Sequence, residues 1–177
     1  MLKELASKTV GHPSLADELV IKQSIKMIRV INDSIKIYES QIKEIMKEIK
    51  SPLLSIPGIG MMTAAALHAE FGDFRRFSSP AKLLSFAGLE CSKNQSGQSD
   101  FKGHMVKHGS SYLRYVLMNA AISLKNHCPA FSAYFHKKFV EENKHYRVAL
   151  NHVVRKFLRV AFKLVTLNEN YNLDLSK

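Results

Sequence analysis

The residues of this 177-residue chain best suited to chemistry lie in one polar run, residues 93–114, KNQSGQSDFKGHMVKHGSSYLR. Small hydroxyls stand among cations here, a combination suited to binding phosphate. A serine hydroxyl is a weak nucleophile, and its attack on phosphorus needs a base or a positive field that stabilises the developing charge. Five side chains of the run could supply that field: Lys93, Lys102, Lys107, His108 and Arg114. We therefore predict that the run holds a phosphate.

Local chemistry does not single out one serine. Ser96 is followed by Gly97, which would let a phosphate approach unobstructed. Four other hydroxyls remain rivals on chemical grounds: Ser92, Ser99, Ser110 and Ser111. His104 and His108 could share a helix face and bind zinc, but glycines flank them and no third ligand is evident. We therefore predict no metal site and no cofactor in this chain.

A second phosphate-binding candidate is the stretch LLSIPGIGMMTAAALHAEFG at 53–72, which resembles the helix-hairpin-helix element. Gly58 and Gly60 permit a tight turn, and the helix that begins near Thr63 would point its free amides at a DNA backbone. Arg75 and Arg76 follow closely and could extend this grip on phosphate. The alternatives are a purely structural hairpin and two solvated surface arginines.

Positive charge is concentrated in the second half of the chain. The formal net charge is +11, and residues 101–163 contain 12 Lys and Arg against only 2 acidic residues. Such a field attracts polyanions, nucleic acid above all, although a basic surface that serves only solubility is the alternative. No stretch is long and apolar enough to span a membrane, and no secretory signal begins the chain. We expect a cytoplasmic, nucleoid-associated protein.

The elements that position these residues are predicted to be helices. Helical spacing interrupted by Gly and Pro covers residues 61–71, 80–86, 110–126, 130–141 and 145–167, and strand alternation is nowhere sustained. The fold class is therefore predicted to be all-α. We expect a linker or disordered segment at 1–13, a coiled-coil helix at 14–50, a helical domain at 51–167 that contains the hairpin, and a tail at 168–177.

The helix at 14–50 has a heptad pattern. Its first apolar position holds isoleucine at every seventh residue, and a second apolar position follows three residues later: Ile21, Ile28, Ile35, Ile42 and Ile49, with Ile31, Tyr38 and Ile45. This a/d pattern predicts a coiled coil and hence a homo-oligomer, a dimer or higher. The alternative is an amphipathic helix folded against its own domain.

The order of several motifs between residues 55 and 121 resembles a known family. Pro-Gly-Ile-Gly, Glu-Phe-Gly-Asp, Phe-Ala-Gly-Leu, Ser-Gly, Lys-x-Gly and Leu-Arg follow one another as in the C-terminal domain of the IS110 group of insertion-sequence transposases, also named after IS116 and IS902. The resemblance implies that Ser96, in the Ser-Gly pair, attacks a DNA phosphodiester. It also implies a coiled coil, multimeric enzymes and a structured guide RNA.

Two features depart from the family pattern. Lys107-His108-Gly109-Ser110 stands where Lys-Arg-Gly-Asn is frequent, which replaces one permanent charge with a largely neutral histidine. The acidic nuclease half, which would bind the divalent metal, does not precede the domain. Asp73 and Glu90 are interpreted as caps and surface charges, and Glu70 and Asp100 likewise. We therefore expect a fragment of a longer enzyme or a shortened gene product, inactive alone.

The sequence thus predicts the DNA-binding C-terminal domain of an insertion-sequence transposase, with Ser96 as the nucleophile for strand cleavage and recombination. The alternative is a non-catalytic helix-hairpin-helix module that binds DNA or RNA structure and uses the serine run only as a phosphate clamp.

Overall fold

The computed structural model describes residue 4, residues 14–90, the backbone of residues 95, 96, 99 and 100, and residues 108–172. Within these residues the fold is all-α, which confirms the predicted class. The predicted linker at 1–13, apart from residue 4, and the end of the predicted tail lie outside them. The described α-helices are α1 (Leu15–Ile49), α2 (Met61–Phe71), α3 (Pro80–Phe86), α4 (Ser111–His127), α5 (Pro129–His136) and α6 (Tyr146–Leu167).

Short elements connect these helices. Two 3-10 turns, Pro52–Ser55 and Phe74–Arg76, lie before and after α2, and a π-helical turn, Lys137–Glu141, continues α5. Strands β1 (Gln95–Ser96) and β2 (Ser99–Asp100) pair antiparallel, with Gln95 opposite Asp100 and Ser96 opposite Ser99. The helix expected at 130–141 therefore changes its winding after residue 136. The amide of Glu142 bonds back to the carbonyl of Lys137, the five-residue spacing of a π turn.

The chain divides into two compact units, residues 1–42 and 43–177. In the first unit, Ser14 caps α1, because its Oγ accepts a hydrogen bond from the amide of Asp17 at 3.4 Å. Asp17 and Glu18 lie in the first turn, where the helix dipole favours negative charge. None of the described side chains between residues 14 and 42 is buried within the chain. The first unit therefore has no hydrophobic core of its own among these residues.

The second unit contains the hydrophobic core. Helix α4 packs against α2, α5 and α6, and α6 also packs against α3. Leu113, Leu117 and Leu124 on α4 and Phe157 on α6 are fully buried. Burial of each such side chain contributes about 1.5–3 kcal/mol, so the packing of α4 on α6 is a major source of stability.

Gly, Pro and Asn set the helix boundaries. Pro80 begins α3 directly after Ser79, as predicted, although the Ser79 side chain makes no capping hydrogen bond. Asn168 ends α6 in the left-handed conformation, with a φ of 54°. Asp73 caps the second 3-10 turn, because its Oδ1 accepts from the amide of Arg75 at 2.9 Å. The interpretation of Asp73 as a cap is confirmed.

Candidate functional site

The two ends of the segment that carries Ser96 meet at one backbone crossing. Gly88 and Gly109 both have positive φ, +67° and +95°. A β-carbon on Gly88 would collide with the carbonyl oxygen of His108, and one on Gly109 would collide with the carbonyl oxygen of Phe86. Only glycine permits both this conformation and this approach. Residues 86–88 and 108–109 therefore form the base from which the intervening segment leaves and to which it returns.

Arg76 is held at this base by aromatic rings. Its guanidinium lies 4.7 Å from the ring centroid of Phe77 and 5.1 Å from that of Phe86. Phe77 and Phe86 contact each other edge to face, with centroids 5.4 Å apart. Such cation–π contacts contribute about 0.5–1 kcal/mol at an exposed site, and they restrict the side chain. Arg76 therefore projects its charge from a defined position beside the crossing.

Arg114 is held at the same base from the other side. Its Nη1 donates a hydrogen bond to the carbonyl oxygen of Gly109 at 3.0 Å. Because Gly109 lies against Phe86, on which Arg76 stacks, the two arginines are connected through two intervening residues. Of the predicted set, Arg76 and Arg114 thus each contact this base, and the exposed His108 is part of it.

Ser110 has a structural role. It caps α4, since its Oγ accepts from the amide of Leu113 at 3.1 Å. Ser111 is the exposed first residue of that helix. This capping bond accounts for a serine at position 110 without any role in catalysis. Ser110 is therefore a weaker candidate than Ser96 for the nucleophile.

Ser96 itself is described by its backbone alone. It ends β1, and Ser99 opposite it begins β2, so these two residues form the inner pair of the ladder. Four other predicted site residues lie outside the described residues: Lys93, Gly97, Lys102 and Lys107. The rival Ser92 and the possible zinc ligand His104 lie outside them as well.

The hairpin glycines have different roles. Gly58 has a φ of +95°, and a β-carbon there would lie 3.0 Å from the carbonyl oxygen of Ser123 on α4. The Ser123 hydroxyl in turn donates to the carbonyl of Gly58 at 2.7 Å. Gly60 is the N-cap of α2, and a β-carbon there would meet nothing within 4 Å. Gly58 therefore fixes the hairpin to the core, while Gly60 leaves the first amides of α2 accessible.

The hairpin at 53–72 differs from a helix-hairpin-helix element in which two full helices are joined by a turn. The segment before the turn is the 3-10 turn Pro52–Ser55, and only the segment after it, α2, is an α-helix. Thr63 lies in the first turn of α2 and is half-buried. The assignment as a helix-hairpin-helix element stays a prediction.

Arg75 lies in a different place from Arg76. It lines a cleft of about 210 Å³ with Ser51, His68, Asp73 and Asn168 among its other walls. Both arginines belong to the 3-10 turn Phe74–Arg76, and Arg76 contacts the Phe77 and Phe86 rings instead of this cleft. That Arg75 and Arg76 extend the grip on phosphate stays a prediction.

Sequence reasoning missed a hydrogen-bonded pair in this cleft. The buried Oγ of Ser51 lies 2.7 Å from Nε2 of His68 and also accepts from the amide of Leu53 at 3.3 Å. Burial lowers the pKa of His68, which favours the neutral imidazole, and its tautomer decides which of the two atoms donates. The pair joins the start of the second unit to α2. Its members are 17 positions apart, and no local motif indicates them.

Two kinds of feature are absent from the described residues. No group of three or more His, Cys, Asp and Glu side chains in the described part of the chain could hold a metal ion. Among the described helices, none has the length and apolar character needed to cross a membrane.

Comparison with known proteins identifies a family match. Residues 50–136 match the family described as Transposase IS116/IS110/IS902 family. The chain is 26% identical over 150 residues to the insertion element IS110 uncharacterized 43.6 kDa protein of Streptomyces coelicolor, covering 84% of this chain and 37% of that protein. It is 31% identical over 153 residues to the pilin gene-inverting protein of Moraxella bovis, covering 82% and 47%.

A third relative is the transposase for insertion sequence element IS1111A of Coxiella burnetii, 32% identical over 98 residues, which cover 54% of this chain and 27% of that protein. The chain therefore spans between 27% and 47% of the length of these three relatives.

Proposed function

Through residues 50–136 the chain belongs to the Transposase IS116/IS110/IS902 family, and from this premise we propose that it binds DNA and contributes the serine nucleophile of an insertion-sequence transposase. Ser96 is the proposed nucleophile. The observation that carries the proposal is the fixed base of the segment containing Ser96, with which Arg76 and Arg114 are each in contact.

The geometry of the base suits a phosphate. Two guanidinium groups that are already held by Phe86 and by the carbonyl of Gly109 lose little further freedom when an anion binds. Arginine offers paired donors that match the oxygens of a phosphodiester. Lys93, Lys102 and Lys107 belong to the same segment by sequence and are proposed to add to this field.

In the proposed step, Oγ of Ser96 forms a bond to phosphorus and the bond from phosphorus to one deoxyribose oxygen breaks. The proton of the serine hydroxyl passes to a base, and the departing oxygen takes up a proton. The cations act on the pentavalent species, which carries more negative charge than the diester. The product is a covalent phosphoserine link between the chain and one DNA strand.

The divalent metal expected of the complete enzyme is proposed for the acidic nuclease half that the family resemblance implies. Attack by Ser96 is proposed to need that half, which would activate the hydroxyl or balance the developing charge. The isolated chain is accordingly expected to bind DNA and to cut it poorly.

DNA is proposed to contact the hairpin as well as the serine segment. Gly60 places no side chain over the first amides of α2, and such amides attract a phosphate. This contact reads no base and would serve any duplex sequence. A structured guide RNA is proposed as a further partner of the complete protein, on the family resemblance alone.

Helix α1 is proposed to form a coiled coil with a second copy of the chain. Seven of its eight a/d side chains are between 45% and 63% exposed, and the eighth, Ile42, is half-buried. A continuous apolar seam of this length is costly to leave in water, and the heptad spacing suits a partner helix with the same repeat.

The test of the nucleophile uses the complete enzyme, in which this chain is joined to its nuclease half. Wild-type protein should form a DNA adduct that survives boiling in detergent and is removed by protease. Ser96→Ala should abolish the adduct and leave DNA affinity within a few-fold, because one neutral hydroxyl adds only about 1 kcal/mol to binding. Ser99→Ala, which changes the opposite residue of the ladder, is the matched control and should retain the adduct.

An adduct in the Ser96→Ala enzyme would identify another serine as the nucleophile. Loss of folding in that variant would make Ser96 structural. Failure of the wild-type enzyme to form any adduct, with DNA binding intact, would favour a non-catalytic binding module.

A further inference from the structure

One face of α6 is basic between residues 152 and 163. Nine side chains of the helix are buried against the core, and these occupy one side. The opposite side carries five basic side chains: His152, Arg155, Lys156, Arg159 and Lys163. The last four follow His152 by three, four, seven and eleven residues, a spacing that places all five on one face of a helix. No Asp or Glu occurs between Tyr146 and Leu167. The exposed face of α6 is therefore positive without local compensation.

These basic side chains differ in their contacts and in the charge that they carry. Lys156 lies over the rings of Tyr134 and Phe131, at 4.8 and 5.7 Å from their centroids. Burial and the nearby Lys138 and Arg155 lower the pKa of His152, so this histidine adds little charge at neutral pH. Arg159 and Lys163 are exposed and form no ion pair with any described residue.

A small groove runs beside this face. Its volume is about 120 Å³, and its walls are the apolar residues Pro80, Ala81 and Leu84 of α3 and the side chains of Arg155 and Arg159. The groove combines an apolar floor with a guanidinium rim. A duplex backbone, polar throughout, has nothing to bury on such a floor. An unpaired base has an apolar face to lay against it and a second face on which a guanidinium can stack.

We propose that the groove between α3 and α6 is a binding site for single-stranded nucleic acid, with one unpaired base on Pro80, Ala81 and Leu84 under the guanidinium groups and the adjoining backbone along Arg159 and Lys163. From Arg155 to Lys163 the row measures about 12 Å, at about 1.5 Å per residue. A strand that kept the duplex spacing of roughly 3.4 Å would place three to four nucleotides along this row.

The site lies near the base of the serine segment and is distinct from it. The groove is formed by the N-terminal half of α3, whereas the crossing at Gly88 follows the C-terminal end of that helix. Ala81 and Gly88 are seven positions apart, or roughly 10 Å along a helical path. The groove and the crossing are thus neighbouring features connected by α3. The inference rests on the proposed function only in taking nucleic acid as the partner, and it does not require Ser96 to react.

Binding of labelled 12-mers to the whole 177-residue chain, followed by fluorescence anisotropy, tests the site. The probes are oligo-dT, oligo-U, a blunt duplex of the same length and an abasic deoxyribose-phosphate strand, which keeps the charge and lacks the bases. Arg159→Ala should weaken binding of the base-containing single strand by roughly tenfold, the loss of one charge-assisted contact. Ala81→Glu should do the same by placing an anion on the groove floor, at a helix start that tolerates acidic residues.

Arg147→Ala is the matched control, since Arg147 is an exposed cation of the same helix away from the groove, and it should change single-strand binding less than twofold. The measurement reports binding alone, so its outcome is independent of whether Ser96 reacts. Tighter binding of oligo-dT than oligo-U assigns the strand as DNA, and the reverse assigns it as RNA; either result supports the site. Equal affinity for the abasic and thymine strands, equal losses for duplex and single strand, or an equal loss in the Arg147 control would overturn it.

Discussion

Gly88 lies so close to the carbonyl group of His108 that no β-carbon fits between them. The contact joins two residues 20 positions apart and closes the segment that carries Ser96 into a loop with one fixed base. A second close contact, between Gly109 and the carbonyl of Phe86, holds the same two backbone segments together. The position from which the serine segment extends is therefore set by backbone packing.

Replacement of Gly88 should be more damaging than replacement of another glycine with positive φ. Gly88→Ala adds a backbone collision to conformational strain, and strain alone costs about 1–3 kcal/mol. Gly72→Ala is the control, because Gly72 has a φ of +63° but its β-carbon would meet nothing within 4 Å. Urea unfolding should give a larger loss of unfolding free energy for Gly88→Ala. Equal losses would mean that the crossing relaxes without cost.

The hairpin glycines should separate stability from DNA binding. Gly60→Ser gives α2 a capping hydroxyl, so stability should be unchanged or rise by a few tenths of a kcal/mol. The same hydroxyl occupies an amide needed by a phosphate, so affinity for every duplex sequence should fall a few-fold, with a salt slope reduced by about 0.9.

Gly58→Ala, in contrast, should destabilise the fold, because its β-carbon lies 3.0 Å from the backbone of Ser123. Anisotropy titrations with two unrelated duplexes, alongside urea unfolding, give both readouts. Unchanged affinity in Gly60→Ser would contradict a phosphate at the start of α2.

Stability should fall in mild acid through His68. Burial holds the pKa of this imidazole below its ordinary value of 6.5. Below pH 6.5 the unfolded chain takes up a proton that the folded chain still refuses, so the free energy of unfolding decreases as pH falls from 6.5 to the folded pKa. His68→Gln removes this titration, and its unfolding midpoint should change less than that of wild type between about pH 7 and 5.

A His68→Gln protein whose unfolding midpoint depends on pH as strongly as that of wild type would contradict this prediction. Burial of the His68 imidazole would then not be the cause of the loss of stability in mild acid.

The assembly through α1 should depend on its heptad seam. Ile28→Asp and Ile35→Asp together place two charges at a positions, where burial against a partner is costly, and should dissociate the oligomer. Ile37→Asp is the matched control, since Ile37 is 59% exposed on the same helix but outside the a/d positions. Light scattering at tens of micromolar distinguishes the two. A wild-type monomer with an intact helix would refute the coiled coil.

Much of the fold could be predicted from the sequence, because helix boundaries have local causes. The helices expected at 61–71 and 80–86 have these bounds in the structure. A glycine precedes and follows the first, and Ser79-Pro80 begins the second. The π turn after residue 136 could not be predicted in this way, because no single residue type specifies a π turn.

The candidate site was less predictable, because its key contacts are distant in sequence. No sequence pattern indicates that the backbone segments around Gly88 and Gly109 contact each other in the fold. Arg75 and Arg76 are neighbours in sequence, yet a 3-10 turn directs one to a cleft and the other to the aromatic rings. Ser96 was singled out only by family resemblance, and its side chain lies outside the described residues.

The crossing at Gly88 and Gly109 also bears on how such proteins can diversify. Because both ends of the intervening segment are fixed at one point of the core, its length and sequence can change without displacing α3 or α4. The entropic cost of closing a longer segment is small, about 0.6 kcal/mol for each doubling. Transplanting residues 91–107 between relatives, which leaves the buried Leu89 in place, should therefore yield folded chimaeras. Selection can then alter the serine segment while the helical scaffold is inherited intact.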